Sequence, residues 1–383
     1  MRYRLRVLTP LLVGDGSKLS PIDYMVWKDQ INILDQTRIF RLLARGSRLE
    51  GYLKQIAKAE KLDFASWGGF AQNFAKRRVP FEHPSYISYW ERLPAEQLHI
   101  PTFASSPAGP YLPASAVKGA LRTSLVFKLA DGRTLKEVET ALASDRPPRL
   151  PGQLAEERTA GAPSHTRLRT IALADSAPAP QAALKVYLVR VATLEKKAPG
   201  QFELRWKQAP RGSVEARRVE ESTPQFAEMA SPGTVFEGEA SERGFLTQPE
   251  IARALGWRSP LRWPDMLAAA NDYAGALLRA HRQYAAWTGL TTLEENLGRL
   301  EQLLEQVRGR NDACLLSLGW GAGFLSKAVA LAVAEEPLRR ILGQHPLYSR
   351  ALRSGLPFPK TRRIVFLENR PATLPGWAML ELA

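Results

Sequence analysis

Tyr111-Leu112-Pro113-Ala114-Ser115-Ala116-Val117-Lys118-Gly119-Ala120-Leu121-Arg122 is the stretch on which the reading of this chain turns. Pro113 stands where a helix begins, and Ser115 is its candidate N-cap. The helix is predicted to run to about Ala130. Val117, Leu121 and Leu125 are spaced by four and form its buried stripe. The first turn of a helix presents unpaired amides and the positive end of its dipole, which together make an anion site. Lys118 and Arg122 are four apart and share a face. Gly119 between them lets a backbone or a ligand come close. Two readings stay open: a phosphate-binding helix start, or a capped core helix carrying two solvated bases.

Upstream, Tyr3, Leu5 and Val7 alternate with Arg2, Arg4 and Arg6, the period of a half-buried strand. An apolar run, Thr9 to Val13, ends in Gly14-Asp15-Gly16, a turn. Tyr24–Trp27 and Ile31–Leu34 read as a hairpin, and a helix follows from about Gln36 to Lys61, weakened by Gly46 and Gly51. Downstream, residues 131–182 are punctuated by proline and poor in aromatics, so they read as a surface excursion. Ala183 to Leu194 is a predicted strand with Phe202 to Gln208 as its hairpin partner. Trp263 to Trp287 and Leu290 to Val307 have helical spacing; Leu293, Leu297, Leu300, Leu304 and Val307 make the apolar face of the second. Cys314 to Leu318 is a short strand, a helix is predicted from about Leu325 to Glu336, and Ile364 to Leu367 is the final strand. Strands and helices alternate irregularly and with hairpins, so the fold class is α+β rather than a doubly wound parallel sheet.

The chain has 383 residues, with 53 Lys+Arg against 38 Asp+Glu, a net charge of +15 and a pI near 10.0. Such a surplus suits a phosphate backbone, whose neutralisation releases counterions; a soluble protein that happens to be basic and an acidic partner protein are the other readings. No run of about 18 apolar residues predicts a membrane span. Met1-Arg2-Tyr3-Arg4 reads as strand rather than leader, and one cysteine, Cys314, fits a reducing cytosol. A cytoplasmic protein is expected.

Two further motifs carry candidate chemistry. Leu318-Gly319-Trp320-Gly321-Ala322-Gly323-Phe324-Leu325-Ser326-Lys327 can form a nest of backbone donors. Lys327 follows Ser326, against the order of a nucleotide P-loop, and Ala322 alone separates the second and third glycines, against the dinucleotide fingerprint. ATPase and dehydrogenase readings are therefore disfavoured. Trp320 and Phe324 could stack on bases or be core aromatics of a tight turn. Pro357-Phe358-Pro359-Lys360-Thr361-Arg362-Arg363 is a rigid turn followed by three bases. Catalytic signals are thin: His83, His99, His165, His281 and His345 lack metal-ligand spacing, and no nucleophile elbow is apparent. Asp15, Asp23 and Asp35 read first as turn residues. No catalytic residue, metal or cofactor is expected.

Together these motifs resemble the RAMP superfamily of CRISPR systems. The opening Thr9 to Gly16 followed by Leu19 to Tyr24 is similar to that superfamily's N-terminal block. Tyr111 to Arg122 looks like its lysine-glycine helix block, with Ala114 and Ala116 as mild departures. Gly319 to Lys327 looks like its C-terminal glycine loop. With Pro359 to Arg363, the four blocks most resemble the fifth-subunit family of the type III-A Csm complex. The resemblance implies two RNA-recognition-motif-like (ferredoxin-like) domains, at 1–200 and 201–383, with helical insertions and the excursion of 131–182. It implies a non-catalytic subunit at the head of a ribonucleoprotein filament, around the 3′ part of the guide RNA (crRNA), supporting crRNA maturation. Implied partners are crRNA, target RNA, a repeated backbone RAMP subunit and a small helical subunit. The RNA-binding candidates are then Ser115, Lys118, Gly119, Arg122, Gly319, Trp320, Gly321, Gly323, Phe324, Lys327, Lys360, Arg362 and Arg363. Two alternatives remain: a RAMP endoribonuclease processing guide precursors, with His281 or His345 as first suspects, and a structural subunit whose basic surface meets acidic partners.

Overall fold

The computed structural model describes the chain apart from residues 45, 47, 59–60, 62–70, 147, 149–150, 209–214, 328–334, 345–347 and 350–351. Two antiparallel sheets organise it. The first has five strands, ordered Ala313–Ser317, Trp377–Leu382, Arg2–Val7, Val235–Glu242 and Ile171–Leu173. Arg2–Val7 alternates exposed and buried as its sequence requires, with Tyr3, Leu5 and Val7 in the core. Helices Ala114–Leu129, Trp263–Thr288 and Thr291–Val307 pack on this sheet and on each other. The amide of buried Asn271 ties the longest of them to the edge strand, donating to the Ala313 carbonyl at 3.0 Å and accepting from the Leu315 N–H at 3.0 Å. A buried amide is tolerable only when so paired.

The second sheet is built around Leu184–Ala198, a strand of 15 residues. Val189 pairs with Val365 on one side and Gln225 on the other, and Thr193 pairs with Thr361 and Arg205. Thr361–Leu367 therefore flanks one edge, while Gln201–Lys207 and Gln225–Ala230 share the opposite edge. Each sheet draws strands from both sides of residue 200. A smaller sheet, Tyr24–Trp27, Gln30–Leu34 and Ala75–Pro80, docks through Arg77. The Arg77 guanidinium grips the wholly buried Glu228 carboxylate of the second sheet at 2.8 and 2.7 Å. The architecture is α+β, with antiparallel sheets consistent with ferredoxin-like units.

Three expectations change. The helix expected from Gln36 to Lys61 is two helices, Gln36–Leu43 and Leu49–Lys58, broken around Gly46. The described residues of the expected surface excursion include two packed helices. Asp131 caps the helix Gly132–Leu142 by accepting the Thr134 N–H at 2.8 Å. A second helix, Pro151–Ala160, starts on its proline, where the missing N–H costs nothing. Leu135, Val138, Leu142 and Ala155 then form a small core with Ile341 and Leu342. Leu325–Lys327 is a single 3-10 turn, and most of the helix predicted beyond it lies outside the described residues. Trp377–Leu382, absent from the sequence reading, is a central strand of the first sheet.

Candidate nucleic-acid interface

The glycine loop after Ala313–Ser317 meets the segment after Arg2–Val7. Trp320 N–H donates to the Leu12 carbonyl at 2.7 Å, and Gly376 N–H donates to the Pro10 carbonyl at 3.0 Å. Gly319 has φ +84°, and a Cβ there would lie 2.4 Å from the Leu12 oxygen, so only glycine allows this crossing. The crossing brings the N-terminal and glycine motifs together beside the helix Ala114–Leu129. Between them runs a groove of about 580 Å³, lined by Gly14, Lys18, Ser115, Gly119, Arg122 and Lys327 among others. Nothing lies within 4 Å of a Cβ built on Gly119, so its face opens onto that space. Arg122 and Lys327 also line a neighbouring cavity of about 700 Å³, which extends the groove past the helix Pro151–Ala160.

Lys18, Arg122 and Lys327 are exposed at the groove. Neither Lys18 nor Lys327 forms an ion pair among the described residues; Arg122 lies 3.6 Å from Glu156. Lys18 was not singled out from sequence, although it follows Gly14-Asp15-Gly16-Ser17 directly. Asp15 shapes that turn by accepting the Ser17 N–H at 2.9 Å. Asp23 likewise accepts from the Ser20 N–H at 2.7 Å and hydroxyl at 2.6 Å, which makes it a turn residue.

The helix start is not an open anion site. Pro113 occupies the N-cap position, Ser115 lies inside the helix, and the Asp175 carboxylate accepts the Ala114 N–H at 2.7 Å. A carboxylate already sits where a phosphate would. Lys118 stands outside the groove. It is half-buried and donates to the Ile171 carbonyl at 2.9 Å; burial, and then the Arg243 charge, lower its pKa. Both contacts come from residues more than 50 positions away.

The basic run is split three ways. Lys360 pairs with Glu215 at 3.1 Å, a carboxylate shared with Lys207. Burial pushes the Glu215 carboxyl up, but hydrogen bonds from the two lysines outweigh it and hold it below its ordinary value. Arg362 is buried. It donates to Nδ1 of His281 at 3.2 Å and to the Pro359 carbonyl at 2.7 Å, and lies 4.6 Å above the Tyr284 ring. Burial brings its pKa down to about 10. His281 is buried with its Nδ1 taken by Arg362, which counts against its place as a first suspect for RNA cleavage; burial, and then the Arg362 charge, lower its pKa. His345 lies outside the described residues. Arg363 alone of the three keeps its donors: its guanidinium lies 4.8 Å from the Trp320 ring centre and makes no hydrogen bond or ion pair among the described residues.

The aromatics expected to stack on bases are engaged elsewhere. Trp320 packs partly in the core beside Leu12, Val189 and Val365 and carries Arg363 on its face. Phe324 meets Tyr348 at 5.5 Å and Phe358 at 5.2 Å, both edge-on. Gly321 and Gly323 both have positive φ; a Cβ at Gly321 would press on Pro375 at 2.8 Å, whereas Gly323 is open and exposed. Among the described residues no group of three His, Cys, Asp or Glu is placed to hold a metal ion. None of their helices is long and apolar enough to cross a membrane.

Antiparallel sheets joined by a glycine loop, with a lysine-glycine helix beside them, define a class: the chain belongs to the RAMP superfamily, whose family model matches residues 4–326. Two solved structures are similar in fold along nearly the whole chain. One is a chain of the cryo-EM structure of a Csm-crRNA-target RNA ternary complex in a type III-A CRISPR-Cas system, with TM-score 0.62, 18% identity and full coverage of both chains. The other is the crystal structure of T. onnurineus Csm5, with TM-score 0.61 and 18% identity over 99% of this chain and 100% of that one. No curated protein matches.

Proposed function

We propose that this chain is a guide-RNA-binding subunit capping the 3′ end, or head, of a type III-A Csm ribonucleoprotein complex, without chemistry of its own. The observation that carries the reading is the groove at the glycine loop: exposed Lys18, Arg122 and Lys327 surround an open glycine face. Exposed cations on a groove bind a phosphate backbone without reading sequence, as a guide of variable sequence requires. Full-length similarity to a chain of an RNA-bound Csm assembly supports the same reading. In it the partners are crRNA, target RNA, a repeated backbone RAMP subunit and a small helical subunit, and the setting is the cytoplasm. The buried His281, its Nδ1 engaged by Arg362, supports the non-catalytic part over endonuclease action on guide precursors. Incubation of the purified chain with precursor RNA tests that part; site-specific products abolished by one substitution would overturn it.

The binding test is the salt dependence of crRNA affinity for the Arg122→Gln, Lys327→Gln double variant. At about 0.7 per single-strand phosphate, losing two contacts flattens the logarithmic salt slope by about 1.4. An unchanged slope in a folded double variant refutes the groove as the RNA track.

A further inference from the structure

Behind the glycine loop lies a second cavity, of about 460 Å³, within the usual size of a small-ligand site. Strand register explains what lines it. Thr361 and Arg363 pair with Thr193 and Val191, and Gln225 pairs with Val189, so all three project from one face of the second sheet. Gly321, Gly323 and Phe324 form the other wall. No carboxylate lines the cavity, whereas Lys207, Arg362 and Arg363 do. Lys207 and Arg362 are committed to Glu215 and to His281 with backbone carbonyls. Arg363 is not. Its guanidinium lies over the Trp320 ring, and its buried Nε has no hydrogen-bond partner among the described residues. The Gln225 Oε1 is also without a partner, and the Thr223 and Thr361 hydroxyls make no hydrogen bond among the described residues. A planar cation lying over an aromatic ring, with uncommitted amide and hydroxyl groups in the same cavity, suits a compact anion bearing hydrogen-bonding edges.

We propose that this cavity takes a single nucleotide, its phosphate on the Arg363 guanidinium and its ribose or base edge on Gln225, Thr223 and Thr361. The nucleotide is either a free nucleoside monophosphate or the terminal nucleotide of a bound RNA; the second source rests on the RNA-binding reading above. The site is distinct from the groove of Lys18, Arg122 and Lys327, which lies on the other side of the glycine loop.

The test uses the full chain. Binding of AMP, CMP, GMP and UMP is measured by calorimetry, beside adenosine and inorganic phosphate. In parallel, an RNA carrying 4-thiouridine at its 3′ end, its 5′ end or an interior position is crosslinked and mapped. Monophosphates should bind at least tenfold more tightly than adenosine or phosphate. Arg363→Gln should weaken them at least tenfold, and the Arg122→Gln, Lys327→Gln double variant should leave them unchanged. Gln225→Leu and Thr361→Val, which spare the Trp320 stack, should each weaken them about threefold and serve if Arg363→Gln does not fold. Crosslinks from one terminal label alone to 323–325 or 361–363 identify an RNA end as the ligand; monophosphate binding without such crosslinks identifies a free nucleotide. Millimolar monophosphates failing to bind, with terminal and interior labels crosslinking alike, overturns the proposal while leaving guide binding intact. Monophosphate binding by a chain that binds no RNA sinks the RNA reading instead.

Discussion

Replacing Arg77 by methionine removes the cation that pairs with Glu228 between the smaller sheet and the second one, where Glu82 N–H also donates to the Val186 carbonyl. The two Arg77 nitrogens reach the two Glu228 oxygens at 2.8 and 2.7 Å, and Glu228 has 1% of its side chain exposed against 20% for Arg77. The remaining donor to Glu228 is the Phe103 N–H at 3.4 Å, too long to compensate a carboxylate. Stranding a buried charge in this way costs about 3–5 kcal/mol. At roughly 2.1 cal/mol/K per residue, a chain this long has an unfolding entropy near 0.8 kcal/mol/K, so Tm should fall by about 4–6 °C. The Arg77→Met, Glu228→Leu double variant should recover most of the loss, since an apolar pair of similar volume carries no desolvation debt. The measurement is a double-mutant cycle by thermal melting and urea denaturation. Phe103 follows Pro101 and Thr102, which line the groove, so limited proteolysis should also report loosening there in the single variant. A single-variant loss below about 1 kcal/mol, or additive effects in the cycle, would show that the pair does not clamp the sheets.

Gly119→Ala should be neutral or stabilise by up to about 1 kcal/mol, because the added methyl meets nothing within 4 Å, while Gly119→Leu should keep Tm and weaken RNA binding by filling the groove. Gly319→Ala should cost at least about 1–2 kcal/mol through its left-handed φ, with the Trp320–Leu12 hydrogen bond lost in addition; an unaltered melt would contradict the close crossing. His281 has its folded pKa pushed well below 6.5, so the unfolded chain binds the extra proton first and stability falls as pH drops below that value. The slope from this group is at most about 1.4 kcal/mol per pH unit, and His281→Gln should remove it from a pH series of denaturation curves.

Where local periodicity decides, the sequence spoke plainly. The alternation of Arg2–Val7 and the apolar stripe of Thr291–Val307 both appear as read, because each element buries one face against a large core. The hairpin of Leu184–Ala198 with Gln201–Lys207 followed from two β-rich runs separated by a turn. The helices Gly132–Leu142 and Pro151–Ala160 were hidden because the prolines around them read as breakers, although Pro151 opens a helix. The site was less legible. Lys118 and Arg122 share a helical face by spacing, but Ile171 draws one lysine away and leaves the arginine in the groove. Asp175 reaches the helix start from 61 residues downstream, a contact no local pattern announces. Of the run Lys360 to Arg363, strand alternation sends Arg362 into the core and leaves Arg363 on the opposite face, a distinction that a count of charges cannot make.

The strand Arg2–Val7 gains its two neighbours from Val235–Glu242 and Trp377–Leu382. During synthesis it therefore waits for some 230 residues before either arrives, roughly 10–50 s at ordinary elongation rates. Throughout that interval both edges of the strand bearing Tyr3, Leu5 and Val7 stand without their native partners and open to other nascent chains. Yield in the cell should accordingly depend on a chaperone at the ribosome exit, or on slower initiation that keeps neighbouring polysome chains apart.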